Sequence, residues 1–296
     1  MTHIKLHTRH YDDMELYKKL FIMIAEEDQQ SIKNQLEKLP TLGPITTIWE
    51  LSKIAESIAL QNYLHFCFFS QPEQLKVLIA HWRIITDIYR HMAIAEKLPV
   101  GERKAFRIFD TEFDLVKAPE NKKRTPLTLC FMLEMAIIMR DKACAEILLD
   151  SIPGETMKID GKHDTVEGLT AHANFIHSAI YGNSEPVTLL EKCNALNKQI
   201  STDYCYDLSL WQALDELRTT QDLAAFEAAV VAQFTRHSNM HKHDSGLITH
   251  MLPKQLIAPV CIAHDKYGYV PQHQNDYLPE WLLTGKFEQA IPSCDK

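Results

Sequence analysis

Apolar residues along this chain recur at intervals of three and four, which is the period of an α-helix. In MELYKKLFIMIAEED, Leu16, Leu20, Met23 and Ile24 fall on one stripe. In TTIWELSKIAESIALQNYLHFCFF, Ile48, Leu51, Ile54, Ala55, Ile58 and Leu60 do the same. PEQLKVLIAHWRIITDIYRHMAIAEKL opens with Pro72, suited to a first helical turn, and stays periodic through Leu75, Ile79, Trp82, Ile85 and Met92. LTLCFMLEMAIIM, residues 127–139, is apolar on nearly every side, which marks a helix packed from several directions. Only nine glycines occur, and no Asn-Gly or Asp-Gly turn joins alternating strands.

Polar breaks interrupt these helices near Asp141, Asn183 and Asp222, with a weaker one near Asp28. The later ones lie roughly 40 residues apart, in the range of helical-hairpin repeats, and a further break near Asp265 keeps step. The expected fold is all-α: stacked antiparallel helix pairs whose apolar faces are buried by their neighbours. Irregular helical repeats are one form of such a stack, although no residue-level consensus recurs. Organisation is expected as a single domain over 1–296 with one core. It comprises an N-terminal helical block over 11–99, a loop over 100–125 and a C-terminal helical block over 126–285. A second loop is expected over 150–169, where Pro153, Gly154, Gly161 and Gly168 cluster.

Composition narrows the function classes. With 46% hydrophobic and 24% charged residues the chain can bury a sizeable core. A net charge of -8, spread along the chain, argues against nucleic acid and anionic membranes and is compatible with a basic protein partner. Seven cysteines, none in a CxxC pair and most in apolar runs, read as reduced thiols of a cytoplasmic protein. The N-terminus lacks the apolar stretch of a secretion signal. The 127–139 run is too short to span a bilayer, which takes roughly 20 residues.

No nucleophile elbow, phosphate-cradling glycine loop or cysteine-enzyme signature is present. Among the 15 histidines, His237, His241 and His243 lie together before Asp244. The first two share a helical face at the spacing zinc ligands use. The glutamate of an HExxH motif is missing, however, so a polar link between helices is the preferred reading, and neither metal nor cofactor is expected. His3, His7 and His10 are expected in an exposed tail. Glu134, within the most apolar helix, is expected either in a structural ion pair, with Arg140 nearby in sequence, or at the helix edge.

Two patches combine aromatic rings with carboxylates, as protein interfaces facing basic partners do. FDTEFD supplies Asp110, Glu112 and Asp114 beside Phe109 and Phe113. STDYCYDLSLWQALDEL supplies Tyr204, Tyr206 and Asp207 with Trp211. The competing reading is that the second group packs and caps a helix start.

The last hundred residues carry a recognisable order of parts. TTQDLAAFEAAVVAQF holds Asp222 and Phe226, and the polar link RHSNMHKH follows. Next comes an apolar helix over 252–263, interrupted by Pro253 and Pro259 and closed at Gly268 as its C-cap, and then Asp276-Tyr277-Leu278-Pro279. This order resembles the immunity protein 49 family of bacterial polymorphic toxin systems, and residues 125–283 carry the likeness. The resemblance implies a non-catalytic protein that neutralises a cognate toxin by stoichiometric binding in the producing cell's cytosol. The rival reading is a helical adaptor for a non-toxin protein. In either case Tyr277 and Leu278 are expected to fold back on the preceding helix, with Trp281 beginning a last short turn that seals the stack.

Overall fold

The computed structural model describes residues 3–4, 30, 34, 37–38, 44–69, 72–108, 111–117, 126–150, 176, 209–240 and 252–287. Helix accounts for 74% of the described region, so the fold is predominantly all-α, with two short sheets added. In chain order the elements are β1 (His3–Ile4), α1 (Pro44–Phe69), α2 (Pro72–Lys97), β2 (Arg103–Ile108), β3 (Thr111–Val116), α3 (Pro126–Ile138) and α4 (Lys142–Asp150). Then follow α5 (Ser209–Thr220), α6 (Leu223–Met240), α7 (Lys254–Tyr267), β4 (Gln274–Asn275) and α8 (Glu280–Thr284). The helices α1, α2 and α3 each open on proline, whose fixed φ suits the first turn and whose missing N–H is not needed there.

The single core expected from the sequence meets a chain that divides into two compact units. One contains the described residues within 8–123 together with 286–287, the other those within 124–285 together with β1.

In the first unit, α1 and α2 pack against each other. Their facing stripes follow the sequence pattern: Ile48, Leu51, Ile54 and Ala55 on α1, and Leu75, Ile79, Trp82, Ile85 and Met92 on α2, are all buried, whereas Ile58 is half-buried and the burial of Leu60 lies outside what is described. Tyr63 and Trp82 meet with ring centroids 6.2 Å apart.

The expected loop over 100–125 is corrected here: within it lies an antiparallel hairpin, β2 with β3, registered Phe106 to Phe113 and Arg103 to Val116. Its pattern is period two, with Phe106 and Leu115 turned inward and buried. The alternation is short, charged and without a glycine turn, which is why a helix-period scan passes over it. β3 lies along α1 and α2, and Phe106 stacks between His91 of α2 (5.0 Å) and Phe113 (5.3 Å).

In the second unit, α3 is buried almost all round and packs on α7 and α4. Two of the expected breaks share one device. Arg140 (φ 54°) and Gln221 (φ 58°) adopt left-handed backbone and end a helix, and the aspartate after each caps the next one. Asp141 Oδ1 accepts from Cys144 N at 2.9 Å, and Asp222 Oδ1 accepts from Ala224 N and Ala225 N at 3.0 and 2.9 Å. The breaks expected near Asp28 and Asn183 lie outside the described residues, as does the loop expected over 150–169 apart from Asp150, which ends α4. The break expected near Asp265 falls just after it. α7 runs through Asp265 to Tyr267 and stops at Gly268 in left-handed conformation (φ 68°), whose N–H donates to His264 O at 3.1 Å. Pro253 stands just before α7, and Pro259 is accommodated inside it.

Candidate functional site

The closing segment 264–283 is held by two polar clusters, both within the 124–285 unit. The first centres on Arg140. Its guanidinium donates to Ile138 O (2.7 Å), Leu282 O (2.9 Å) and Leu283 O, and to the Asp265 carboxylate at 3.1 and 3.3 Å. It also lies 3.3 Å from Cys261 Sγ. One side chain therefore ties the end of α3 to α7 and to the last carbonyls of α8, which have no partner within so short a helix. Burial, partly offset by the facing Arg140 cation, pushes the Cys261 thiol up to about 11. A buried thiol in that state is a poor nucleophile.

The second cluster centres on Glu227 of α6. Its carboxylate accepts from Tyr269 Oη, from Gln272 N (3.1 Å) and from His273 Nδ1 (2.7 Å). With Nδ1 committed to the carboxylate, His273 Nε2 is left to accept from Asn275 Nδ2 at 3.4 Å. Burial alone would raise the Glu227 pKa, but the three donors and the facing histidine outweigh it and bring it below the usual glutamate value. Burial and the same carboxylate raise the Tyr269 pKa.

Beside this loop, β1 pairs in parallel with β4, Asp276 N donates to Ile4 O at 3.0 Å, and His3 Nε2 meets Asp276 Oδ1 at 2.8 Å. The exposed tail expected around His3 is thus corrected. His3 is exposed but paired, and Ile4 is buried. Tyr277 and Leu278 are buried and α8 follows Pro279, as the sequence anticipated.

Glu134 takes neither of its expected roles. It is fully buried, and among the described residues neither carboxylate oxygen has a hydrogen-bond partner. Arg140 pairs with Asp265 instead. Burial, opposed by the nearby Lys254 cation, holds the Glu134 pKa well above the usual carboxylate range. Lys254 itself stands 5.7 Å from the centre of the Phe131 ring.

Of the sequence-selected interface residues, Glu112 and Asp114 are exposed on β3. They do not form an acidic patch by themselves. Asp114 pairs with Arg103 at 3.1 Å, and Glu112 lies directly across from Arg107. Asp110, Tyr204, Tyr206 and Asp207 lie outside the described residues, as do His241 and His243. Trp211, grouped with the second patch, is fully buried in α5. His237 corrects the polar link expected there: it lies within α6, which runs to Met240, and is buried edge-on against Tyr277, with centroids 5.4 Å apart. Among the described residues no group of three or more His, Cys, Asp or Glu side chains could hold a metal ion. No described helix is long and apolar enough to cross a membrane. The signal that could have found the hairpin is the period-two alternation of TEFDLV; RKAFRI alternates poorly.

Comparison with protein-family models, with curated proteins and with solved structures finds no match to this chain.

Proposed function

We propose that the chain acts by binding another protein, and that this partner is a cognate bacterial toxin which it neutralises stoichiometrically and without catalysis. The observation that carries the binding reading is the hairpin over 103–116. It is fixed from below by Phe106 and Leu115, while Arg103, Lys104, Ala105, Arg107, Glu112 and Asp114 are exposed. A pre-ordered, charged element on a helical support loses little entropy on docking and recognises by charge pattern. The polar clusters at Arg140 and Glu227, by contrast, spend their donors and acceptors on the chain's own backbone and loop. The toxin partner rests on the resemblance of residues 125–283 to the immunity protein 49 family. A complex of this kind should bury roughly 1,200–2,000 Å².

The test is co-expression with the C-terminal domain of the polypeptide encoded beside this chain's gene. Rescue of growth supports neutralisation. Undiminished toxicity, with both proteins present and folded, excludes it and leaves the adaptor reading.

A further inference from the structure

Among the described elements of the 124–285 unit, only β1 comes from before residue 124, and the stretch 8–123 separates it in sequence from the rest. It is also short. His3 and Ile4 pair in parallel with Gln274 and Asn275, Asp276 N donates to Ile4 O at 3.0 Å, and His3 Nε2 meets Asp276 Oδ1 at 2.8 Å. Ile4, only 4% exposed, is the apolar anchor, and β1 lies against α6.

The acceptor is ordered by contacts that use no residue of β1. On one side, Glu227 of α6 accepts from Gln272 N at 3.1 Å and from His273 Nδ1 at 2.7 Å. On the other, Asn275 Oδ1 accepts from Tyr277 N and Asn275 O from Leu278 N, both at 3.0 Å. Tyr277 is buried against Phe234, with centroids 5.8 Å apart, and against His237 of α6. Taking β1 away would leave a fixed strand edge with a donor at Asp276 N, the Asp276 carboxylate beside it, and the apolar seat of Ile4. A pre-ordered edge of this kind takes an extended segment as an added strand: main-chain bonds hold it and side chains select it.

We infer that residues 272–278 and α6 form a strand-acceptor site, and that β1 of a second copy of this chain enters it in place of the chain's own, joining two chains by strand exchange. The fit argues for this occupant. A second copy brings the same imidazole at position 3 and the same β-branched side chain at position 4, so no contact in the site is lost. The chain's own β1 is the built-in competitor. A tethered strand competes at an effective concentration on the order of millimolar, so exchange grows as the chain is concentrated. The inference is independent of the toxin reading.

The experiment removes the competitor and supplies the strand separately. A fluorescent peptide of residues 1–7, MTHIKLH, is titrated into the full-length chain, native and Ile4→Asp. Anisotropy reads binding, and hydrogen exchange at the Asp276 amide locates it. A carboxylate at position 4 cannot take the buried seat without losing its hydration, so the variant's own β1 should leave. The peptide should bind this variant at least about tenfold more tightly than the native chain and slow exchange at Asp276. A peptide that itself carries Ile4→Asp should bind at least about tenfold more weakly, the value of burying an isoleucine. His3→Ala, at an exposed position, is the second background: its far-ultraviolet circular dichroism should be unchanged, and the peptide should bind it several-fold better than the native chain. Sedimentation equilibrium of the native chain should show a dimer that grows with concentration and is lost in Ile4→Asp. Equal affinity for native chain and variants, no binding to either variant, or protection away from 274–276 would overturn the acceptor site. A native chain that stays monomeric to millimolar concentration, or a dimer undiminished by Ile4→Asp, would overturn the second copy as its occupant.

Discussion

Replacing Arg140 by alanine should loosen the end of the 124–285 unit more than any surface substitution. The change removes the donor of three backbone carbonyls and of the Asp265 carboxylate, from a side chain only 23% exposed. A hydrogen bond from a charged group contributes about 1.5–3 kcal/mol, and water recovers part of the loss at the exposed oxygens, so a net cost of about 3 kcal/mol is expected. Backbone conformation adds a second, separable effect. Arg140 sits at φ 54°, where a Cβ costs about 1 kcal/mol relative to glycine. Arg140→Gly loses the same bonds but regains that strain, and should be about 1 kcal/mol more stable than Arg140→Ala. Gly285 supplies a third check. A Cβ there would lie 2.8 Å from Arg140 Nε, at φ 65°. Gly285→Ala should therefore cost more in the native chain than beside Arg140→Ala, where only the backbone strain remains. The assay is urea unfolding followed by tryptophan fluorescence, with hydrogen exchange over 280–284 as the local readout. A loss below about 1 kcal/mol for Arg140→Ala would refute the reasoning, as would a glycine variant weaker than the alanine variant. An identical cost of Gly285→Ala in both backgrounds would refute the steric part.

Three further outcomes follow from the buried and capping groups. Glu134 has a raised folded pKa, so its ionisation opposes folding increasingly as pH rises above the unfolded value near 4.5. Glu134→Met should accordingly stabilise by about 1–3 kcal/mol at pH ~8 and by less at pH ~5, measured by denaturant unfolding at both. Glu227 has the opposite sign: its folded pKa is lowered, so its contribution is present above pH 4.5 and is lost as pH falls through the folded value. Glu227→Gln should cost about 2 kcal/mol at pH ~7 and abolish the faster exchange of 269–276 that acid induces in the native chain. Asp222→Ala removes two capping bonds and should cost about 1 kcal/mol, seen as fraying of the first turn of α6 by hydrogen exchange.

Much of the helical frame was legible because burial follows the period of the apolar residues. The stripes of α1 and α2, the all-round burial of α3, the left-handed stop at Gly268 and the inward fold of Tyr277 and Leu278 are each announced by residue types close in sequence, even where the packing partner is distant. What was not legible depends on tertiary partners. Nothing near Arg140 in sequence announces that it reaches Leu282 or pairs with Asp265 in the last turn of α7. Ile4 reads as tail because its partner strand lies at Gln274–Asn275. In the candidate interface, the exposure of Glu112 and Asp114 was legible. Their pairing across the hairpin was not, because the strand carrying Arg103 and Arg107 is short, highly charged and without a glycine turn.

Occupying a partner, rather than turning anything over, is the proposed mode of action of this protein. The most direct measurement titrates the activity of the proposed partner, the purified C-terminal domain encoded beside this chain's gene, with the full chain, at concentrations well above their dissociation constant. Occupancy predicts a linear fall to zero at one chain per toxin, reached at once and unchanged by longer incubation. Inactivation that proceeds with time at far less than one equivalent, or activity that persists beyond it, would contradict that mode of action.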